Sequence, residues 1–157
     1  MVLLSEYQGV LMSAQISAIS FCKSVLPIST EFMDQLRRVI GEHVVDLNDN
    51  HITINFKDSS YSAAKGGYHP VEISLIKMAE HHYVISYITD FSYCGHSPEE
   101  LERDLDFDFG NSLALSRPFG WIDISLPEMA ELYQLWESNF IAYLTMDVYD
   151  QIQIQSL

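Results

Sequence analysis

The sequence predicts an α+β fold: a single domain with a mostly antiparallel sheet and two or three helices packed on it. Three observations lead there. Two β-rich runs, VEISLIKM (Val71–Met78) and YVISYITDFSY (Tyr83–Tyr93), are joined only by AEHH, which is the pattern of a hairpin. The segments STEFMDQLRRVIGEHV and SLPEMAELYQLWESNFIAYLTM carry apolar residues at helical spacing. The regular alternation of strand and helix that a doubly wound parallel sheet requires is absent.

Taken in order, residues 1–15 form either a short helix after Ser5 or a loosely ordered margin. SAISFCKS (Ser17–Ser24) alternates as a strand, and Pro27 ends it. In the next segment Ser29 or Thr30 can cap a helix. Glu31 and Asp34 suit its first turn, and Phe32, Leu36, Val39 and Ile40 form its apolar stripe. LNDN makes a turn, and HITINFK (His51–Lys57) alternates as a strand with Ile52, Ile54 and Phe56 on one face. After the hairpin, SPEELERDL offers a helix start, with Ser97 as cap, Pro98 at the first position and Glu100 at the third. It runs into DLDFDFG, read as a strand with Leu105, Phe107 and Phe109 on the core face.

The longest helix comes next. Ser125 can cap it, and Met129, Leu132, Tyr133, Trp136, Phe140, Tyr143 and Leu144 form the buried stripe. VYDQIQIQ closes the chain as a strand, with Val148, Ile152 and Ile154 inward and the glutamines outward. No repeat, low-complexity tract or linker divides residues 1–157, so one domain is expected.

Composition narrows the function classes. A chain of 157 residues with 48% hydrophobic content can bury roughly two-thirds of its unfolded surface in a real core. Eight basic against 22 acidic residues give a net charge of −14, which repels phosphate backbones and disfavours direct nucleic-acid binding. The charge is uneven: −3 over Met1–Thr89 and −11 from Asp90 onward, where Arg103 and Arg117 are the sole basic residues. That half is expected to present a negative face suited to a partner protein with a basic surface. Cys22 and Cys94 are too few for a disulfide framework and read as buried free thiols. Glu6 stands where an export signal would be positive, and no run of about 20 apolar residues exists. The expectation is a cytoplasmic protein without membrane contact.

Three motifs invite chemistry and do not hold it. Asp104, Asp106 and Asp108 open like a calcium loop, but its sixth and twelfth positions are Phe109 and Leu115 rather than Gly and Glu. As a strand, the three carboxylates stand about 7 Å apart and repel by only about 0.6 kcal/mol per pair in water. They remain a weak divalent-metal candidate, and no cofactor is expected. Asp108–Gly110 spells the kinase metal triplet without any of its partners. Gly66-Gly67 lacks the order of a phosphate loop and precedes a strand rather than a helix.

The stretch KDSSYSAAKGGYHPVEISL carries the remaining candidate. If Met78 pairs with Tyr83, then Val71 faces Asp90 and Ile73 faces Ile88. His69, Asp90 and Ser92 then share one face while Glu72 lies on the other, beside Thr89 and Tyr87. A carboxylate beside an imidazole fixes its tautomer and raises its pKa, as a general base requires. A slip of one residue would separate His69 from Asp90. The loop could bring Asp58, Tyr61, Lys65, Gly66, Gly67 and Tyr68 to the same end of the sheet as binding residues. Ser92 has no visible oxyanion-hole element to serve it as a nucleophile, and a purely structural His69–Asp90 hydrogen bond is the alternative.

Together INFKDSSYSAAKGGYHPVEISL, YVISYITDFSYCG, DLDFDFG and LYQLWESNFIAYLTMDVYD resemble one bacterial family, a domain of unknown function numbered 2787. It occurs in small gammaproteobacterial proteins, some on mobile elements. The resemblance spans roughly Ile52–Asp150 and implies a bacterial cytoplasmic protein; it supplies no substrate, cofactor or catalytic residue. Two functions therefore stand. One is a non-catalytic acidic protein-binding module, with a DNA mimic as a special case. The other is a small acid–base enzyme or hydrolase centred on His69 and Asp90. Exposed Tyr and Phe edges would also permit a homodimer.

Overall fold

A computed structural model describes residues 2–43, 47–95 and 98–157. The elements are α1 (Val2–Ser17), β1 (Ser20–Phe21), α2 (Thr30–Gly41), β2 (His51–Lys57), β3 (Val71–Ala79), β4 (His82–Cys94), β5 (Glu100–Asp108), β6 (Leu113–Ser116), β7 (Gly120–Asp123), α3 (Pro127–Thr145) and β8 (Gln151–Ser156). The strands make one sheet in the order β7-β6-β5-β4-β3-β2-β8, and every neighbouring pair in that path is antiparallel. The short β1 adds a parallel pairing at the start of β4. The α+β fold read from the sequence is the fold observed.

Alternation decides the faces. On β2, Ile52, Ile54 and Phe56 are buried, and across the ladder Val71, Ile73 and Leu75 continue the same apolar face. The helices α2 and α3 cover it. Phe32 of α2 meets Trp136 and Phe140 of α3, and these pack on Phe56 and Phe107 of the sheet. Each such side chain, fully buried, contributes about 1.5–3 kcal/mol. The α2 start is as expected: Ser29 Oγ accepts from Phe32 N–H at 3.0 Å, and Phe32, Leu36, Val39 and Ile40 are buried.

Several expectations are corrected. Of the strand expected over Ser17–Ser24 only Ser20–Phe21 forms, and Ser17 ends α1. No helix starts at Pro98: strand β5 begins at Glu100, with Pro98 and Glu99 before it in irregular chain; Ser97, the expected cap, lies outside the described residues. The cause is tertiary. β4 continues to Cys94, and Ser92, Tyr93 and Cys94 pair with Glu102, Leu101 and Glu100, so the ladder outweighs the local capping signal. Ser125 does not cap α3. Its N–H and hydroxyl go to Asp123 Oδ1 at 2.9 and 2.7 Å, and Leu126 precedes Pro127 at the first turn without a side-chain cap. Cys22 and Cys94 are free but partly exposed rather than buried. Cys22 Sγ lies 3.1 Å from His82 Nε2, whose Nδ1 is 2.7 Å from Ser20 Oγ, a knot that ties β1 to β4.

The hairpin register decides which side chains meet at its far end. Val71 pairs with Asp90 and Ile73 with Ile88, as the sequence predicts, but the route differs. Tyr83 pairs with Lys77, not Met78, because the ladder slips by one residue between Lys77 and Ala79 and slips back between Ser74 and Leu75. The two bulges cancel, so the far end of the hairpin regains the register on which His69 and Asp90 share a face.

Candidate functional site

His69 and Pro70 lead into β3, and Asp90 lies in β4 opposite Val71. Pro70 still joins the ladder through its carbonyl, which accepts from Phe91 N–H at 2.9 Å. That pairing holds His69 beside Asp90, with Nδ1 2.7 Å from Asp90 Oδ1. An ionised carboxylate only accepts, so Nδ1 carries the proton, and Nε2 has no protein partner among the described residues. The other Asp90 oxygen accepts from Trp136 Nε1–H at 3.2 Å, so α3 fixes the carboxylate from the opposite side. The Asp90 hydrogen bond lifts the His69 imidazole above its ordinary pKa against the cost of its burial; the Asp90 and Asp104 charges add to the rise and Arg117 opposes it.

A cavity of about 190 Å³ opens at this pair. His69, Asp90 and Trp136 form one wall, and Tyr68, Tyr143 and Tyr149 supply much of the remainder. Gly67 and Asn139 also reach it. The volume corresponds to about six waters at roughly 30 Å³ each, or one small organic molecule.

The loop before His69 is built for this approach. Asp58 accepts from Ser60 N–H at 2.9 Å and from Tyr68 N–H at 3.1 Å; with the Ser60 hydroxyl, these bonds hold its carboxyl below the usual range. Gly67 sits at φ 134°, and a Cβ there would stand 2.9 Å from Asp58 Oδ2 and 3.0 Å from Tyr61 Cα. Only glycine lets the chain pass Asp58 this closely. The Tyr61 ring lies 5.3 Å from the His69 ring and stacks on Tyr93, whose N–H donates to the Tyr61 hydroxyl at 3.1 Å. Of the loop residues expected at a site, Gly67 and Tyr68 line the cavity and Tyr61 braces the imidazole. Asp58 holds the loop's shape, while Lys65 and Gly66 occupy an exposed turn outside the cavity wall.

The three aspartates of β5 do not act as a row. Asp90 pairs with Leu105 and Phe91 with Arg103, so Asp104 is the extra residue of a bulge. Asp104 therefore turns to the His69 face, 3.8 Å from His69 Nδ1, while Asp106 and Asp108 lie on the opposite face with Glu72. The ligand atoms of His69, Asp90 and Asp104 come within 4.8 Å of one another, and these three could hold a metal. Arg117 already balances this cluster. Its guanidinium is 3.5 Å from Asp104 Oδ1 and donates to Ser92 Oγ. Two carboxylates against one guanidinium leave the cluster at −1 while the imidazole is neutral and at zero once it is protonated, without an ion.

Ser92, bonded to Arg117 and absent from the cavity wall, is not presented as a nucleophile. Sequence reasoning missed the parts of Trp136, Arg117 and Asn139. Trp136 also serves the core stripe in which the helical spacing places it, and its N–H is the available clue: a buried indole needs an acceptor.

A family model described as a protein of unknown function (DUF2787) matches residues 30–155. The chain belongs to this family. Among solved structures it is similar to the hypothetical protein VC0508 from the VSP-II pathogenicity island of Vibrio cholerae, at 40% identity and a TM-score of 0.79. It is also similar to the conserved hypothetical protein VC1805 from pathogenicity island VPI-2 of V. cholerae, at 42% identity and a TM-score of 0.77. Each match covers 87% of this chain and 100% of the other. VC1805 is described as sharing structural homology with the human P32 protein. No curated protein matches. Among the described residues no helix is long and apolar enough to cross a membrane.

Proposed function

We propose that the family member described here binds a small organic molecule in the His69–Asp90 cavity and acts on it by general acid–base catalysis. One observation carries the reading: an imidazole held at 2.7 Å by a carboxylate that is itself anchored by Trp136, at the wall of an aromatic cavity. With Nδ1–H committed to Asp90, Nε2 is left to take a proton from a hydroxyl, a bound water or an acidic C–H. Asp90 would stabilise the imidazolium that results. Tyr68, Tyr143 and Trp136 give planar ligands rings to pack on.

The test is a ligand-observed NMR screen of small heterocyclic and phenolic fragments against the wild type and His69→Ala. Hits should lose binding in Tyr143→Ala, and turnover of any reactive congener should vanish in His69→Ala with a bell-shaped pH profile in the wild type. A screen in which every hit binds His69→Ala and Tyr143→Ala equally well would remove the reading.

A second reading keeps the chain as an acidic module for a basic protein partner, with a DNA mimic as its special case. The −11 balance from Asp90 onward favours it. It predicts capture of a basic partner that weakens with salt and is indifferent to His69→Ala.

A further inference from the structure

The sheet has a second cavity, on the face that α2 and α3 leave uncovered. It is also about 190 Å³, and its polar wall is Glu72, Thr89, Arg103, Asp106 and Asp108. The register places them: Thr89 pairs with Glu72 on one side and Asp106 on the other, and Tyr87 pairs with Asp108. Three carboxylates against one guanidinium leave the cavity negative.

The carboxylates differ in how they are satisfied. Glu72 accepts from the Tyr87 hydroxyl, and Asp108 accepts from Asn111 N–H at 3.0 Å and Asn111 Nδ2–H at 2.8 Å. Asp106 Oδ2 has an ion-pair contact with Arg103 at 3.4 Å, and the Thr89 hydroxyl lowers the cost of the ionised carboxylate, but Asp106 Oδ1 is buried without a well-formed hydrogen bond of its own. The residue is only 3% exposed. A carboxylate oxygen kept from water without a donor is costly. Its surroundings therefore favour a cation that brings N–H groups of its own.

The geometry selects the kind of cation. Among the described residues, His69, Asp90 and Asp104 are the set of three whose ligand atoms converge within 4.8 Å. Glu72, Asp106 and Asp108 are spread wider than a compact divalent shell allows. An alkylammonium group needs no such convergence. Its three donors reach separate acceptors, and its methylenes and charge can lie against the rings of Tyr87 and Phe91, which also line the cavity. Arg103 occupies that role from within. Its side chain is 57% exposed and is held to Asp106 by that one long contact, so it can move aside.

We propose that this cavity binds the ammonium end of a linear polyamine, with the Asp106 carboxylate as its principal acceptor, reached once Arg103, the internal group on Oδ2, is displaced.

The experiment titrates spermidine into the full chain at constant ionic strength, followed by calorimetry and by the backbone amides of β3, β4 and β5. Saturable binding at one site is expected, with shifts centred on Thr89 and Asp106. Asp106→Asn should weaken it at least about tenfold, as loss of a charge-assisted hydrogen bond does. Asp34→Asn, which changes net charge equally on exposed α2, should change it less than about twofold. Arg103→Gln should tighten binding, while the charge-matched Arg38→Gln should not. Equal weakening in Asp106→Asn and Asp34→Asn would mean diffuse counterion attraction and overturn the proposal. So would absence of saturable binding, or Mg²⁺ displacing spermidine at matched ionic strength. His69→Ala should leave the titration unchanged, so this outcome is independent of the acid–base reading.

Discussion

Glu137 is a carboxylate placed in the middle of the apolar stripe of α3, and replacing it tests whether the two helices are locked by polar contacts as well as packing. Its side chain is buried, and one oxygen, Oε2, accepts both Ser29 N–H at 3.1 Å and the Tyr133 hydroxyl. Ser29 is the residue that caps α2, so this carboxylate joins the first turn of α2 to α3. Truncation in Glu137→Ala strands the buried Tyr133 hydroxyl and the part-buried Ser29 N–H. At about 1–3 kcal/mol each, the expected loss is of order 3 kcal/mol. For a chain of this length that is a fall in Tm of about 6–12 °C. Glu137→Gln keeps an oxygen able to accept both donors and should cost only about 1 kcal/mol. Urea and thermal unfolding by circular dichroism would measure both variants. If Glu137→Ala melts within about 2 °C of the wild type, or if Gln is as damaging as Ala, the polar lock does not exist and packing alone holds α2 on α3.

Other expectations rest on the same kinds of contact. In an NMR titration His69 should retain its proton above the ordinary histidine range, and Asp90→Asn should bring the midpoint down. Because that folded-state pKa is raised, the stability it contributes is complete below the unfolded value and is lost as pH rises through the folded one. Asp106, pushed up to about 6 chiefly by burial, should make the fold less stable as pH rises from about 4 to about 6, by roughly 2–3 kcal/mol at most. Asp106→Asn should flatten that slope in denaturant melts run across the range. Gly67→Ala should destabilise more than Gly66→Ala. Both have positive φ, but a Cβ on Gly66 would meet open space, whereas one on Gly67 would meet Asp58 and Tyr61. Equal melting temperatures for the two would show that the loop yields easily.

Much of the fold was legible because periodicity reports which face of an element is buried. The limits of β2, the hairpin strands and the stripe of α2 follow from their alternation and capping residues. Where the local signal lost, a neighbour had overruled it. Pro98 and Glu100 spell a helix start, but the open edge of β4 draws the chain from Glu100 onward into a strand. The candidate site was half legible. The hairpin register leads to His69 and Asp90, yet by a pairing at the turn that is not the one formed. Two compensating bulges restore the result, and a sequence carries no local mark of either.

The sequence by itself determined the α+β class, the buried faces and the acidic second half, because each depends on composition or on residues near one another in the chain. The tertiary structure alone decided which groups meet. It set Trp136 on Asp90 across 46 positions and Arg117 on Ser92 across 25. A bulge divided Asp104 from Asp106 and Asp108, giving one face of the sheet an imidazole cluster and the other a buried carboxylate oxygen without a well-formed hydrogen bond. The physical reason is that hydrogen-bond partners and desolvation are properties of three-dimensional neighbours, and strand spacing fixes a side chain's face only until a single extra residue reverses it.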